Sequence, residues 1–214
     1  MKHITFYLDF ISPYAYLAFE RLPLALQGLS YQVTYKPVLF AALLDHHGQL
    51  GPAEIVAKRI WTYRQVAWLA REQGTPLQLP AAHPFNPLPL LRLAVACGQG
   101  GACNRYQAET IFHHVWATGL DAFDALRTQV LTALLKPTRS ASDAGVKAQL
   151  KANTDEATAA QVFGVPSMVV GSDVFWGLDA LPMLRQCLAG DNFFAGEGWK
   201  NASGLPLGIR RKST

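Results

Sequence analysis

The residues best placed to do chemistry surround Ser12. The stretch FYLDFISPYAYLAF runs as an apolar strand and then changes to the helical spacing of Tyr14, Leu17, Ala18 and Arg21. The change falls on Ser12 and Pro13. A serine at that point accepts from the free N–H groups of the helix's first turn, and proline at the first helical position loses no hydrogen bond. A helix start at the end of a buried strand is also a place for an anion, with the Ser12 hydroxyl directed at it. Ser12 is therefore a plain cap, or a cap that also holds a negatively charged group. The other reactive side chains are less suggestive. Cys97, Cys103 and Cys187 are odd in number and form no C-x-x-C pair, so they read as small buried hydrophobes rather than a disulfide framework. His46-His47 and His113-His114 are helix neighbours pointing about 100° apart, so neither pair offers two nitrogens to one metal, and no metal site is expected.

Composition narrows the function classes. Half of the residues are apolar, enough for a substantial core in one large domain or two small ones. The formal charge is +4, but Arg210, Arg211 and Lys212 carry three of those charges near the C-terminal end. A basic groove for nucleic acid is not indicated. No apolar run approaches the roughly 20 residues that span a bilayer, and the chain enters its first strand without a signal-peptide pattern. The expectation is a cytoplasmic globular protein that meets neither nucleic acid nor membrane.

Presenting Ser12 requires a strand before it and a helix after it. Ile4 to Phe10 reads as that strand, Pro13 opens the helix, and YQVTYKPVLF alternates as a second strand from Tyr31 to Leu39. One long amphipathic helix is predicted from Pro52 to Gly74, with Ile55, Ile60, Tyr63, Val66, Leu69 and Ala70 at helical spacing. Trp61, Tyr63 and Trp68 then belong to the core or to a cleft wall. Prolines punctuate the chain until Leu88, and further helices follow to Gly98, over CNRYQAETIFHHVWATG and over DAFDALRTQVLTALL. Asn153 or Thr154 is predicted to cap a helix over DEATAAQVFGV. SMVVG and DVFWG then read as strands, and Asp179 to Leu188 as a helix. A β-α-β unit, residues 1–45, and a β-β-α unit, residues 153–190, are thus separated by a helical block, residues 46–152. Residues 191–214 form a C-terminal tail, loosely held at NASGLPLGIRRKST. Neither half-sheet is large enough to stand alone, so the two are expected to pair into one sheet broken by the insertion.

A reactive position capping the first helix, a proline opening the third strand and a helical insertion together resemble the thioredoxin fold, in its DsbA-like branch. The expected class is α/β, a thioredoxin-like domain with an inserted all-helical domain. Redox members begin the helix with C-x-x-C. Here those residues are Ser12-Pro13-Tyr14-Ala15, and disulfide exchange requires a thiolate. The stretches DFISPYAY, GPAEIVAKR, HPFNPLPLLR and FGVPSMVVGSDVFWGLD resemble the 2-hydroxychromene-2-carboxylate isomerase family, a relative of kappa-class glutathione transferases.

The resemblance implies glutathione as cofactor, supplying the sulfur that the helix start lacks. Its thiolate would sit at the N-terminus of the Pro13 helix, favoured by the helix dipole and by a hydrogen bond from catalytic Ser12 worth about 1.5–3 kcal/mol. Pro166 is then expected to follow a cis bond, turning the backbone of Val165 toward a peptide ligand. FWGLD implies that Asp179 accepts from the γ-glutamyl ammonium, with Trp176, Gly177 and Leu178 as wall and backbone contacts. On pattern alone Asp179 reads equally as a helix N-cap. Ala180 stands where many relatives have arginine. Lys58 is assigned to the glycine carboxylate and Gln49 stands near a family amide position, although Lys58 alone reads as a solvated helix-face lysine. His83, Asn86 and Arg92 are candidates for the second substrate. Without the resemblance Asn86 is a turn amide and Arg92 a surface arginine. The implied activity is isomerisation of 2-hydroxychromene-2-carboxylate, or a similar aromatic-catabolism intermediate, by reversible thiolate addition. The alternatives are conjugation by a kappa-type transferase and a non-catalytic glutathione- or peptide-binding module. The expected partner is a small aromatic or conjugated substrate, with a homodimer left open.

Overall fold

Four strands, β1 (Lys2–Leu8), β2 (Tyr31–Pro37), β3 (Ser167–Val170) and β4 (Asp173–Trp176), make one sheet in the order β2-β1-β3-β4. They come from a computed structural model of the chain, which describes residues 1–202, 204–206 and 208. β1 runs parallel to β2 and antiparallel to β3, and β4 is antiparallel to β3. A parallel pair needs a crossover, and α1 (Pro13–Ala25) provides it. The β3–β4 turn is short, with Gly171 taking the left-handed φ of 61°. Between β2 and β3 the chain is helical: α2 (Phe40–His46), α3 (Val56–Gln73), α4 (Leu88–Cys97), α5 (Arg105–Trp116), α6 (Ala125–Leu135) and α7 (Ala144–Ala159). After β4 come α8 (Leu181–Ala189) and α9 (Glu197–Ala202). The sheet thus joins both ends of the chain, with Phe6 opposite Tyr35 on one side and Met168 on the other.

Its central position explains why β1 loses its polar face. Ile4, Phe6 and Leu8 on one face are fully buried, and Tyr7 on the other is only 2% exposed. α1 is apolar on most sides because α3, α5 and α8 all pack on it. Phe19 of α1 is the aromatic hub, with its ring centroid 5.2 Å from those of Tyr35 and Phe112 and 6.5 Å from that of Phe6. α1 is therefore gripped along its length, and its first turn has a fixed position relative to β1 and β3.

Several elements differ from their sequence-based bounds. β1 ends at Leu8 and β2 at Pro37. The helix expected from Pro52 begins as a 3-10 turn over Pro52–Glu54, capped by Glu54 Oε1 accepting from the Gly51 N–H, and becomes α-helical at Val56, because Ile55 between them is extended at φ −100° and ψ 112°. The helix expected to start at Asn153 or Thr154 starts at Ala144 instead, where Asp143 caps it through the Gly145 N–H. Residue 153, the expected start of the second half-unit, is mid-helix. Asn153 Nδ2 donates to Pro37 O and Gly101 O, and Thr154 Oγ1 accepts from the Leu39 N–H. These polar side chains serve distant backbone, which made them resemble caps. The stretch after residue 190 is anchored on the sheet through Trp199. Trp199 stacks on Phe175 at 6.3 Å and 12° and donates to Asp173, with Phe193 and Phe194 around it. Arg210, Arg211 and Lys212 lie outside the described residues.

Candidate active site

Ser12 is the N-cap of α1, extended at φ −92° and ψ 114°, and only 7% exposed. Its Oγ accepts from the Ala15 N–H at 3.2 Å, and its carbonyl accepts from Tyr16 N–H at 3.1 Å. Pro13 has no N–H, so the Tyr14 N–H is the one first-turn donor with no acceptor among the described residues. The Ser12 hydroxyl donates in turn to Val165 O, at 3.4 Å. A good O–H···O bond spans about 2.5–3.0 Å, so this proton is loosely held.

That contact brings the two ends of the chain together at one point. Val165 precedes Pro166, the bond between them is cis, and the Val165 N–H donates to nothing among the described residues. Pro166 O accepts from the Gly177 N–H at 3.0 Å, which ties the turn after β4 to the turn before β3. Gly177 has φ 94°, a region that disfavours side chains, and a Cβ there would lie 2.5 Å from Asp179 Oδ1. Asp179 makes no helix-capping bond: α8 begins without a side-chain cap. Its carboxylate is exposed, with Oδ1 beside Gly177. Burial pushes the Tyr14 hydroxyl above its ordinary pKa, and the charge of Asp179 adds to that rise. Trp176 is 52% exposed and lies over Gly164, where a Cβ would come within 2.7 Å of the indole Nε1, and against Phe163 at 4.9 Å. Ser12, Val165, Pro166, Trp176, Gly177, Leu178 and Asp179 therefore form one connected rim.

The helical block contributes through α3 and the segment after it. Tyr14 O–H donates to Gln65 Oε1 at 2.7 Å. Lys58 is exposed near the start of α3, two turns or about 10 Å before Gln65, and Gln49 is exposed in the connection leading to that helix. No hydrogen bond ties either side chain to Ser12 among the described residues. His83 reaches the site from its far side, with Nε2 donating to Ile11 O at 2.8 Å. Asn86 Oδ1 accepts from the Leu88 N–H at the start of α4. Arg92 is half-buried on α4, with an Nε that finds no hydrogen-bond partner among the described residues.

One acid at the site carries no role in the sequence reading. Asp9 is fully buried, three residues before Ser12, and its backbone carbonyl accepts from the Ser12 N–H. Oδ1 accepts from Ile11 N–H at 3.1 Å and Oδ2 from Phe40 N–H at 3.0 Å. Asp9 thus ties the turn that carries Ser12 to the turn after β2. Burial pushes its carboxyl up to about 7, against the opposing pull of the two N–H groups. The signal available in sequence was an acid within an apolar run.

The residues present suit a peptide-like thiol: a loosely held hydroxyl at a helix start and, without partners among the described residues, the Tyr14 and Val165 N–H groups and the exposed Asp179 carboxylate. Residues 3–189 match the description of the DSBA-like thioredoxin domain. A 2-hydroxychromene-2-carboxylate isomerase of Sphingobium xenophagum is 31% identical over 205 residues, which cover 87% of this chain and 98% of that relative. The chain belongs to the 2-hydroxychromene-2-carboxylate isomerase family. A solved structure of a 2-hydroxychromene-2-carboxylate isomerase superposes with a TM-score of 0.76 at 23% identity, covering 95% of this chain and all of the other. The glutathione S-transferase kappa 2 of Caenorhabditis elegans is 26% identical over 207 residues, 88% of this chain and 92% of that relative. Within this isomerase family the expected α/β class and DsbA-like fold hold for the present chain.

Proposed function

We propose that the protein is a glutathione-dependent cis–trans isomerase acting on 2-hydroxychromene-2-carboxylate or a similar conjugated intermediate of aromatic catabolism, in the cytoplasm. The observation that carries this reading is the Ser12 hydroxyl. It caps a helix whose next free N–H is Tyr14's, and its proton rests on a carbonyl 3.4 Å away. An anion arriving at the helix start takes that hydrogen at little cost. The chain's own thiols do not compete: burial pushes all three up, Cys97 to about 11 and Cys103 to about 12, and none is near Ser12 in sequence. When bound, glutathione supplies a nucleophilic thiolate that adds reversibly to a conjugated double bond and leaves after rotation about the resulting single bond. Ser12 and Tyr14 N–H hold the sulfur anionic, the Val165 N–H accommodates the peptide backbone, and Asp179 takes the γ-glutamyl ammonium beside Trp176 and Leu178. Lys58 takes the glycine carboxylate, and Gln49 supplies an amide to the ligand. The names of the isomerase relatives support the reaction class, and that of the kappa relative supports glutathione.

The kappa relative also favours a second reading, conjugation with release of the adduct. One assay separates the two. With glutathione and 2-hydroxychromene-2-carboxylate, the isomerase forms product while free thiol stays constant, whereas a transferase consumes it. No thiol-dependent turnover, together with no rise in thermal stability at 100 times any plausible dissociation constant, where about 2.7 kcal/mol is due, overturns the glutathione site.

A further inference from the structure

Beside the Ser12 turn is a cavity of about 220 Å³, lined by Tyr63, Leu79, Pro80, Ala81 and His83. A cavity of about 150 Å³ suffices for benzene, so there is room for a flat conjugated group. Leu79, Pro80 and Ala81 give it an apolar wall. His83 places it next to the reaction site, because the imidazole bonds the carbonyl of Ile11, the residue before Ser12. The ring is held by aromatic neighbours, 5.4 Å from Trp116, 5.6 Å from Tyr63 and 5.7 Å from Phe85.

The hydrogen-bond directions follow from this arrangement. Ile11 O is an acceptor, so His83 Nε2 carries the hydrogen, and in the neutral ring Nδ1 is then an acceptor. Burial holds the imidazole below its ordinary pKa, which keeps it neutral. Tyr63 O–H lies 2.7 Å from His83 Nδ1 and 3.2 Å from His83 O, both acceptors. Its hydrogen is committed within the protein whichever of the two it meets. What Tyr63 offers the cavity is therefore a lone pair.

We infer that this cavity seats the second substrate and selects a flat conjugated ring bearing a hydroxyl, which donates to Tyr63 Oη. The identity of that substrate rests on the isomerase reading; the cavity and its preference for a hydroxyl donor do not. His83 acts as the positioning residue that turns Tyr63 into an acceptor, rather than as a base.

The test is calorimetric binding of 2-hydroxycinnamate and of 2-fluorocinnamate, whose fluorine is close to a hydroxyl in size but has no hydrogen to donate. The protein is expected to bind the hydroxyl compound about 3- to 10-fold more tightly, one neutral hydrogen bond. Tyr63→Phe is expected to abolish that preference, and Ala81→Trp, at an exposed position on the cavity wall, to weaken both compounds more than 10-fold with glutathione affinity unchanged. Equal binding of the two compounds, a preference that survives Tyr63→Phe, or binding indifferent to Ala81→Trp overturns the inference. If the probes behave as expected but no thiol-dependent isomerisation is found, the isomerase reading fails while the cavity stands. Thiol-dependent turnover with probes that ignore both variants overturns the cavity and leaves the isomerase reading intact.

Discussion

Asp9→Asn tests whether a buried carboxylate beneath the Ser12 turn carries its charge at the expense of stability. Asp9 is fully buried, and its hydrogen-bond partners among the described residues are two backbone N–H groups and no cation. Its pKa rises on folding from 3.8 to about 7, so between these values the folded chain binds more protons than the unfolded one. Stability attributable to this group is therefore greatest below pH 4 and falls as pH rises to about 7. At 1.36 kcal/mol for each tenfold change, the full loss is about 4 kcal/mol. Asparagine keeps one oxygen for either Ile11 or Phe40 and turns an NH2 toward the other, which costs about 1–3 kcal/mol at any pH. The variant should be less stable than the parent by that amount at pH 4 and more stable by a similar amount at pH 8. Urea unfolding of both proteins at unit steps from pH 4 to 8 measures the difference and cancels groups common to both, including His83 and His114, whose partly buried rings are held below the ordinary histidine pKa. A stability difference that stays flat across that range would refute the reasoning, since Asp9 would then ionise alike in both states.

Ser12→Ala should cost about 0.5–2 kcal/mol as a lost cap, and also raise the pKa of bound glutathione by about one to two units with a 10- to 1000-fold fall in turnover near neutrality. Ultraviolet titration of the bound thiolate reads the first effect, and unchanged pKa with unchanged turnover leaves Ser12 a cap alone. Asp179→Asn should weaken glutathione about 10- to 100-fold but spare an analogue lacking the γ-glutamyl ammonium, because only the charge-assisted bond is lost. Equal losses would remove the ammonium contact. Gly164→Ala places a methyl within 2.7 Å of the Trp176 indole and should displace that half-exposed ring, shifting tryptophan emission and weakening glutathione. A spectrum and affinity like the parent's would show that Trp176 is not a wall of the site.

The helix start at Ser12 was legible in the sequence because every part of it is local. A period change, a hydroxyl and a proline within a few residues specify a capped helix whatever packs around it. The pairing of the terminal units was legible for a related reason, since two strands and a helix at either end bury too little alone. Asn153 and Asp179 show the limit. Both have the composition of caps, yet Asn153 spans from α7 to Pro37 and Gly101, and Asp179 leaves α8 without a side-chain cap. A polar side chain's partner is chosen by proximity in space, and propensity carries no information about a residue 116 or 52 positions away.

The amino-acid sequence by itself determined the order of strands and helices, the absence of a thiol at the α1 cap and the kinship that suggests glutathione. The tertiary structure alone decided that Ser12 meets Val165 across 153 residues, that Asp9 is sealed from water, and that His83 leans on Ile11 with Tyr63 behind it. The physical reason is that protonation and hydrogen-bond direction depend on which groups exclude water from one another. That is settled only when α1, β3 and the segment after α3 close on the same point.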